Sequence, residues 1–112
     1  MNHASLRRAT ATDVANVRAL VRAAYAKWVP LINREPLPMT ADYEQAVTDH
    51  IIDLWEENGQ LLGLIEVIPA EDHLLIENVA VRPDQQGKGL GETLLHHAEG
   101  IARSYARKLV TA

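Results

Sequence analysis

One segment constrains the fold more than any other. It reads ENVAVRPDQQGKGLGETLL, from Glu77 to Leu95, and places three glycines at alternate positions between an apolar stretch and an amphipathic one. This order predicts a β-strand, a glycine-rich loop and then an α-helix. A helix N-terminus exposes unpaired backbone N–H groups and a positive dipole, and glycine lets the backbone approach a bulky anion. The segment therefore predicts a phosphate-binding loop, to which Arg82 and Lys88 add positive charge.

Two common nucleotide-binding motifs do not fit this loop. A Rossmann fingerprint needs a glycine at position 92 or 94, where Glu92 and Leu94 stand. A P-loop needs Ser or Thr after its Gly-Lys pair, where Gly89 stands, and another glycine five positions before Gly87. The alternative is that the glycines only permit a tight turn between the strand and the helix.

The first half of the chain predicts a strand and two helices. Leu6 to Ala9 is typical of a short strand, and Thr12 is placed to cap the helix that follows it. Three prolines then predict a loop, VPLINREPLPM, and a second short helix begins at Thr40 or Ala41. Apolar residues recur at helical spacing in the first helix: Val14, Val17, Leu20, Val21, Ala24, Tyr25 and Trp28.

The second half predicts an antiparallel meander of three strands. The runs IIDLWEE, QLLGLIEVI and LLIENVAV have β-type composition, and Asn58-Gly59 between the first two is a strong hairpin signal. Helical periodicity returns after the glycine-rich loop, and the final KLV is the start of a possible further strand. At 112 residues the chain is predicted to form a single α/β domain of the α+β type, residues 1–112, in the order β-α-α-β-β-β-α.

Charge and composition narrow the classes of partner. Ten acids and no Lys or Arg lie between Glu35 and Asp72, within a net charge of −4. Such a segment attracts a cationic partner and repels DNA or anionic lipid, unless it is only a solvated acidic face. The sequence has no cysteine, no signal-peptide core and no apolar run of membrane-spanning length. We therefore expect a cytoplasmic protein that binds neither nucleic acid nor membrane.

The glycine-rich segment resembles the GNAT superfamily of N-acetyltransferases. Gln86-Gly87-Lys88-Gly89-Leu90-Gly91 fits the Q/R-x-x-G-x-G/A pattern of that superfamily, and ENVAVRPD is similar to its fourth strand. The resemblance implies a mostly antiparallel mixed sheet flanked by helices, with acetyl-CoA as co-substrate. It also implies that backbone N–H groups in the strand hold the acetyl carbonyl and the pantetheine arm. The implied cofactor-binding residues are Val79, Ala80, Val81, Gln86, Gly87, Lys88, Gly89, Leu90, Gly91 and Glu92.

The resemblance also implies roles for residues outside the loop. The backbone of Val79 would stabilise charge on the acetyl oxygen, and an amine would attack the thioester directly. Glu77 is the candidate base, because alternation places it between Leu75 and Val79 on one face, half-buried; a structural role is the alternative. The implied acceptor pocket is Tyr25, Trp28, Arg34 and Tyr43, although Tyr25 and Trp28 also fit a helix core.

No metal site is predicted. His96 and His97 are adjacent, so on a helix they point about 100° apart, and no third ligand has a suitable spacing.

Similar proteins continue through a fifth strand, another helix and two closing strands, and commonly place a tyrosine acid in the last helix region. Ala112 falls inside what would be the fifth strand, so we expect the chain to be incomplete at its C-terminus, without its final strands. Tyr105 lies on the wrong element to replace that tyrosine. An exposed strand edge would then favour a homodimer.

Three functions remain open at this point. The first is transfer of an acetyl group from acetyl-CoA to a small-molecule or peptide amine. The others are a CoA-binding module without catalysis and an interaction domain that completes its sheet with a partner strand. The identity of the acceptor is left open.

Overall fold

A computed structural model describes residues 4–111 as a mixed five-stranded sheet with helices on both faces. The strands are β1 (Ala4–Arg8), β2 (Ile51–Glu57), β3 (Gln60–Pro69), β4 (His73–Val81) and β5 (Lys108–Thr111). The α-helices are α1 (Val14–Tyr25), α2 (Val29–Ile32), α3 (Leu37–Thr40), α4 (Tyr43–Asp49) and α5 (Leu90–Ser104). Short 3-10 turns precede α1, α2 and α5.

The sheet has the order β1-β2-β3-β4-β5. The first four strands are antiparallel neighbours, which confirms the predicted meander, and β5 runs parallel to β4. The hairpin between β2 and β3 turns through Asn58 and Gly59 at φ of 52° and 79°, the left-handed conformation that this dipeptide favours. Strand β5 is the further strand that KLV indicated.

Apolar side chains form one core on each face of the sheet. Helices α1 and α4 pack on one face, where Val17, Val21 and Leu64 are fully buried. Helix α5 packs on the other face through Leu94 and Ala98. It lies so close to β3 that a Cβ at Gly63 would stand 3.2 Å from the side chains of Leu90 and Leu94. This contact sets the position of the glycine-rich loop that precedes α5.

The segment between α1 and α4 differs from the predicted loop, because it contains the single-turn helices α2 and α3. Pro30 and Pro38 lie in the first turn of each helix. Proline is tolerated there because the backbone N–H that it lacks would have no partner within the helix. The next helix, α4, begins at Tyr43 rather than at Thr40 or Ala41. Its N-cap is Asp42, whose side chain accepts a 3.1 Å hydrogen bond from the N–H of Gln45.

The first helical turn is capped by Thr10 rather than by Thr12. Asp13 accepts a 2.8 Å bond from the backbone N–H of Thr10, and its carboxylate also pairs with both terminal nitrogens of Arg7. These bonds from Arg7 hold the pKa of Asp13 at about 2, below its ordinary value. Trp28 was expected to be core or acceptor pocket, but it is 44% exposed, because the chain leaves α1 three residues before it.

Candidate active site

A β-bulge in β4 sets the geometry of the site. Asn78 pairs with Glu66 and Ile76 pairs with Val67, so Glu77 has no partner residue in β3. The bulge interrupts alternation: Ile76 packs on the α5 face, whereas Glu77 and Asn78 line one cavity on the other. Val79 packs with Ile76 in the α5-face core, so the predicted placement of Glu77 on one face with Val79 is wrong. Glu77 is also exposed rather than half-buried.

That cavity, which we call the acidic pocket, has a volume of about 400 Å³ and lies between α3, α4 and the centre of the sheet. Its walls combine apolar side chains of α3 and α4 with carboxylates from β3, β4 and the N-cap of α4. No Lys or Arg is among the residues that line it. Its polar lining residues are Thr40, Asp42, Tyr43, Gln45, His50, Glu66, Glu77 and Asn78.

A hydrogen-bonded chain connects Tyr25 to Asn78 and Tyr43, two residues that line the pocket. Tyr25 donates to Asn78 Oδ1 at 2.8 Å, Asn78 Nδ2 donates to the Tyr43 hydroxyl at 3.3 Å, and Tyr43 donates to the carbonyl of Pro38. Burial raises the pKa of both phenols, and the negative charge of Glu66 raises them further. Both hydroxyls therefore stay protonated and act as donors at neutral pH.

The buried carboxylate of the pocket is Glu66, of which 3% is exposed. Its Oε2 lies 2.6 Å from Nδ1 of His50, the residue before β2. A buried carboxylate needs a partner to offset the loss of water, and His50 supplies it. Sequence reasoning missed His50, Glu66 and Asn78. The one available signal was Glu66 itself, an acid inside the apolar run QLLGLIEVI.

A second cavity, which we call the slot, lies beside the C-terminal half of β4. It has a volume of about 210 Å³, and its lining includes Tyr25, Trp28, Val79, Val81 and Gln86. Strand β5 pairs only with residues 73–76, so among the described residues no strand covers β4 beyond Ile76 on this edge. Asn78 lines the acidic pocket and Val79 lines the slot, which makes the two cavities neighbours along β4.

Every second residue of β4 points its backbone N–H and C=O groups towards the slot. The N–H of Arg82 donates to the carbonyl of Leu62 in β3 at 2.8 Å. Because successive residues of a strand point their backbone groups to opposite edges, Val79 and Val81 direct theirs away from β3. Two side chains agree: the Tyr25 hydroxyl lies 3.3 Å from the Val79 carbonyl and shares its one proton between that oxygen and the nearer Asn78 Oδ1, and Gln86 Nε2 donates to the Val81 carbonyl at 3.0 Å.

The glycine-rich loop lies at the end of β4, before α5. Gly87 and Gly89 have φ of 82° and 83°, a backbone conformation that favours glycine, whereas Gly91 has ordinary helical geometry. An added Cβ at Gly91 would meet nothing within 4 Å. The first intrahelical bond runs from Thr93 N–H to the Gly89 carbonyl at 3.1 Å. The N–H groups before Thr93 thus form the open N-terminus of α5.

The cations near the loop differ from those expected. Arg82 is held by two bonds to Asp84, at 2.7 and 2.6 Å, so its charge is already paired. Lys88 is exposed in the loop. Lys27 was not predicted, but its ammonium donates to Gln86 Oε1 at 2.8 Å and lies 5.3 Å from the centre of the Trp28 ring.

The four residues predicted for the acceptor pocket are not brought together. Tyr43 lines the acidic pocket, whereas Tyr25 and Trp28 line the slot. Arg34 is exposed and lines neither cavity. His97 bonds to Asp53 at 2.7 Å on the α5 face, and within the described part of the chain no three acid or histidine side chains cluster as a metal site would require. No helix of residues 4–111 is long and apolar enough to cross a membrane.

Solved structures with the same fold carry an acetyltransferase description. PaiA N-acetyltransferase from Thermoplasma acidophilum, in complex with coenzyme A, is 16% identical with a TM-score of 0.80, over 93% of this chain and 74% of that one. Ribosomal-protein-alanine N-acetyltransferase from Brucella melitensis biovar Abortus 2308 is 16% identical with a TM-score of 0.74, over 98% and 79%.

A third solved structure is N-acetylglutamate synthase from Neisseria gonorrhoeae, complexed with coenzyme A and N-acetyl-glutamate. It is 24% identical with a TM-score of 0.73, over 97% of this chain but only 25% of that one. Likeness at these identities shows the fold. No curated protein sequence matches the chain. A sequence profile described as "Acetyltransferase (GNAT) family" matches residues 14–112, most of the chain, and the protein therefore belongs to the GNAT acetyltransferase family.

Proposed function

We propose that the protein transfers an acetyl group from acetyl-CoA to a cationic primary amine. Family membership supports acetyl transfer, and two of the solved relatives are described with coenzyme A bound. The acetyl-CoA arm would lie in the slot, its pyrophosphate at the N-terminus of α5, and the amine in the acidic pocket. The two cavities adjoin at Asn78 and Val79, which is where transfer would take place.

The observation that carries the proposal is the hydrogen-bonding character of the open β4 edge. The Val81 carbonyl accepts a bond from Gln86, and the Val79 carbonyl lies 3.3 Å from the Tyr25 hydroxyl, which shares its one proton with Asn78. The N–H groups of the same two residues face the slot, so this edge offers chiefly donors. A partner β-strand needs both donors and acceptors, whereas a thioester and the amides of a pantetheine arm offer carbonyl oxygens. The edge therefore favours acetyl-CoA over a partner strand.

The glycine-rich loop fits a pyrophosphate. Gly87 and Gly89 turn the chain into α5, and Gly91 leaves open space where a side chain would otherwise stand. Backbone N–H groups over Gly87–Glu92 and the helix dipole favour an anion there. Lys88 in the loop and Lys27 beside Gln86 add cations.

When bound, acetyl-CoA supplies an acyl group activated as a thioester. The N–H of Val79 would donate to the acetyl oxygen, and such a backbone donor contributes on the order of 3 kcal/mol to the stabilisation of charge developing there. The amine must be neutral to attack, so a group in the acidic pocket has to take its proton. Glu77, the base predicted from the sequence, lies next to Asn78 and is the first candidate.

The charge of the pocket supports a cationic acceptor. Asp42, Glu66 and Glu77 line it, and two of the three come from the acid-rich segment between Glu35 and Asp72. Carboxylates with no Lys or Arg among the lining residues attract an ammonium ion and repel an acidic acceptor.

Calorimetry with acetyl-CoA and a thiol-release assay with a panel of aliphatic amines test the proposal. Gly89→Glu should weaken acetyl-CoA binding by at least about 100-fold, because it adds a side chain and a negative charge at the anion site. Gly59→Glu is the matched control: Gly59 has φ of 79° against 83° at Gly89, and neither added Cβ meets an atom within 4 Å. Equal losses at both sites, or no acetyl-CoA binding by the wild type, would contradict the assignment.

A CoA-binding module without catalysis remains the second function. It shares the slot and the loop, and the same experiments separate the two functions. Tight acetyl-CoA binding with no release of thiol for any amine in the panel would favour the module. Binding with amine-dependent thiol release would favour the enzyme.

A further inference from the structure

The acidic pocket holds a histidine that is oriented by a buried carboxylate. His50 lines the pocket, and its Nδ1 lies 2.6 Å from Oε2 of Glu66. Glu66 is 3% exposed, while 27% of the His50 side chain is exposed. Among residues 4–111, the structure gives Glu66 no other side-chain partner. The histidine thus connects a buried carboxylate to the cavity proposed for the acceptor.

This arrangement fixes the tautomer of the ring. An ionised carboxylate only accepts hydrogen bonds, so Nδ1 of a neutral His50 carries the proton and donates it to Glu66. The other ring nitrogen, Nε2, then has a free lone pair. Glu66 also stabilises the imidazolium that forms when Nε2 takes up a proton, as a carboxylate does in any carboxylate–histidine pair that serves as a base.

We infer that His50, oriented by Glu66, accepts the proton of the attacking amine, and that Glu77 binds the ammonium form of the acceptor instead. This inference rests on the proposed function. The amine nitrogen forms a bond to the acetyl carbon, and the carbon–sulfur bond breaks with its electron pair on sulfur. The bound ammonium first gives one proton to Nε2 of His50, directly or through one water, and His50 passes it to solvent. The neutral amine then attacks, and its second proton goes to the departing thiolate.

Chemistry favours the imidazole over the exposed carboxylate. Histidine is the side chain whose ordinary titration range spans neutral pH, so it suits proton exchange there. The charged and titratable groups that face His50 in the pocket are Glu66 from β3, Glu77 from β4, and Asp42 and Tyr43 at the start of α4. These groups place three carboxylates and one phenol around the pocket that His50 lines.

Three single variants test the inference. At saturating acetyl-CoA, His50→Gln should lower kcat by about 100-fold, the range of one general base, with acetyl-CoA affinity unchanged. Glu77→Gln should instead raise KM for the amine with a smaller change in kcat. His97→Gln is the matched control, because His97 also bonds a buried carboxylate, Asp53, but on the opposite face of the sheet.

Glu66→Gln tests the positioning role. Loss of the carboxylate charge should move the acidic limb of kcat against pH, on which kcat rises as the base loses its proton, to lower pH, because the imidazolium is less stabilised. A merely structural role for Glu66 would leave that limb in place. Long-range ¹H–¹⁵N spectra of the wild type should show His50 protonated at Nδ1, and this readout does not depend on activity.

Three outcomes overturn the inference. If the His50→Gln variant transfers the acetyl group as fast as the His97→Gln control, His50 is not the base, although the proposed function still stands. A wild-type ring protonated mainly at Nε2 contradicts the tautomer. A wild type that binds acetyl-CoA but acetylates no amine refutes the proposed function and this inference with it.

Discussion

Two histidines each bond a buried carboxylate, one on each face of the sheet. On the α4 face, His50 lies 2.6 Å from Glu66, and on the α5 face, His97 lies 2.7 Å from Asp53. The carboxylates are equally inaccessible, at 3% and 5% exposed. Their other contacts differ. Asp53 also accepts a 2.6 Å bond from Arg8 Nε, whereas Glu66 borders the acidic pocket.

The difference teaches what makes such a pair reactive. Asp53 is bonded to Arg8, which carries a permanent positive charge, and to His97, so it joins β1, β2 and α5. Glu66 has the His50 imidazole as its only side-chain partner among the described residues, and it borders the acidic pocket. A histidine and a carboxylate in contact are therefore not a site by themselves. What else reaches the carboxylate decides the role.

The largest expected effect comes from removing each buried charge in turn. Asp53→Asn should lower the free energy of unfolding by about 2–3 kcal/mol, because two bonds to a charged acceptor are weakened at once. Glu66→Gln should cost about 1 kcal/mol, since the amide oxygen can still accept from His50. Urea unfolding at pH 7 measures both. If both variants lose the same free energy of unfolding, Asp53 is not the more structural of the two carboxylates.

The role of arginine as the partner of a carboxylate can also be tested at Asp13, which is bonded to Arg7 as Asp53 is bonded to Arg8. Hydrogen bonds from Arg7 lower the pKa of Asp13 from 3.8 to about 2. A lowered folded-state pKa contributes stability above the unfolded value, and that contribution is lost as pH falls from about 4 to 2. We expect about 1–2 kcal/mol, reduced by solvent at the partly exposed Arg7.

Unfolding followed against pH in wild type and Asp13→Asn checks this expectation. The variant should be less stable at pH 6, and the two curves should converge near pH 2. A difference between them that stays constant down to pH 2 would mean that the carboxylate charge of Asp13 contributes nothing.

A smaller effect is expected from salt. The acids of the pocket are not neutralised by arginine as Asp53 is, so their field should attract a cationic amine. Raising ionic strength from about 0.01 M to 0.15 M shortens the Debye length from about 30 Å to 8 Å and should raise KM for the amine a few-fold. A neutral acceptor analogue is the control. If KM for the amine does not change with salt, these acids do not attract the acceptor and only form a solvated surface.

The smallest effect concerns the tyrosines. Burial is the main reason that the pKa values of Tyr25 and Tyr43 are raised, and the charge of Glu66 adds to it. Glu66→Gln should therefore lower both pKa values, because an anion near a phenol opposes its ionisation. Asp53→Asn, on the other face, should leave them unchanged. Absorbance titration of tyrosinate distinguishes these results, and equal shifts in both variants would show that the two faces are not electrostatically separate.

Local signals allowed much of the fold to be predicted. Asn58-Gly59 fixed the hairpin, and the glycines at 87 and 89 fixed the passage from β4 into α5, because the required backbone conformations are set by neighbouring residues. The Q/R-x-x-G-x-G/A match led to the family that the profile confirms. The cofactor and catalytic roles of the named residues, the homodimer and the cytoplasmic location stay predictions.

The sequence by itself determined where strands, turns and the anion-binding loop lie, since each depends on residues a few positions apart. Only the tertiary structure decided what meets in the pocket. The bulge that turns Glu77 and Asn78 to one side depends on the register with β3, and it is invisible to simple alternation. His50 and Glu66 come together because β2 and β3 pair, and Tyr25 reaches Asn78 across 53 positions of the chain. Such contacts follow from the packing of whole elements, which no local pattern records.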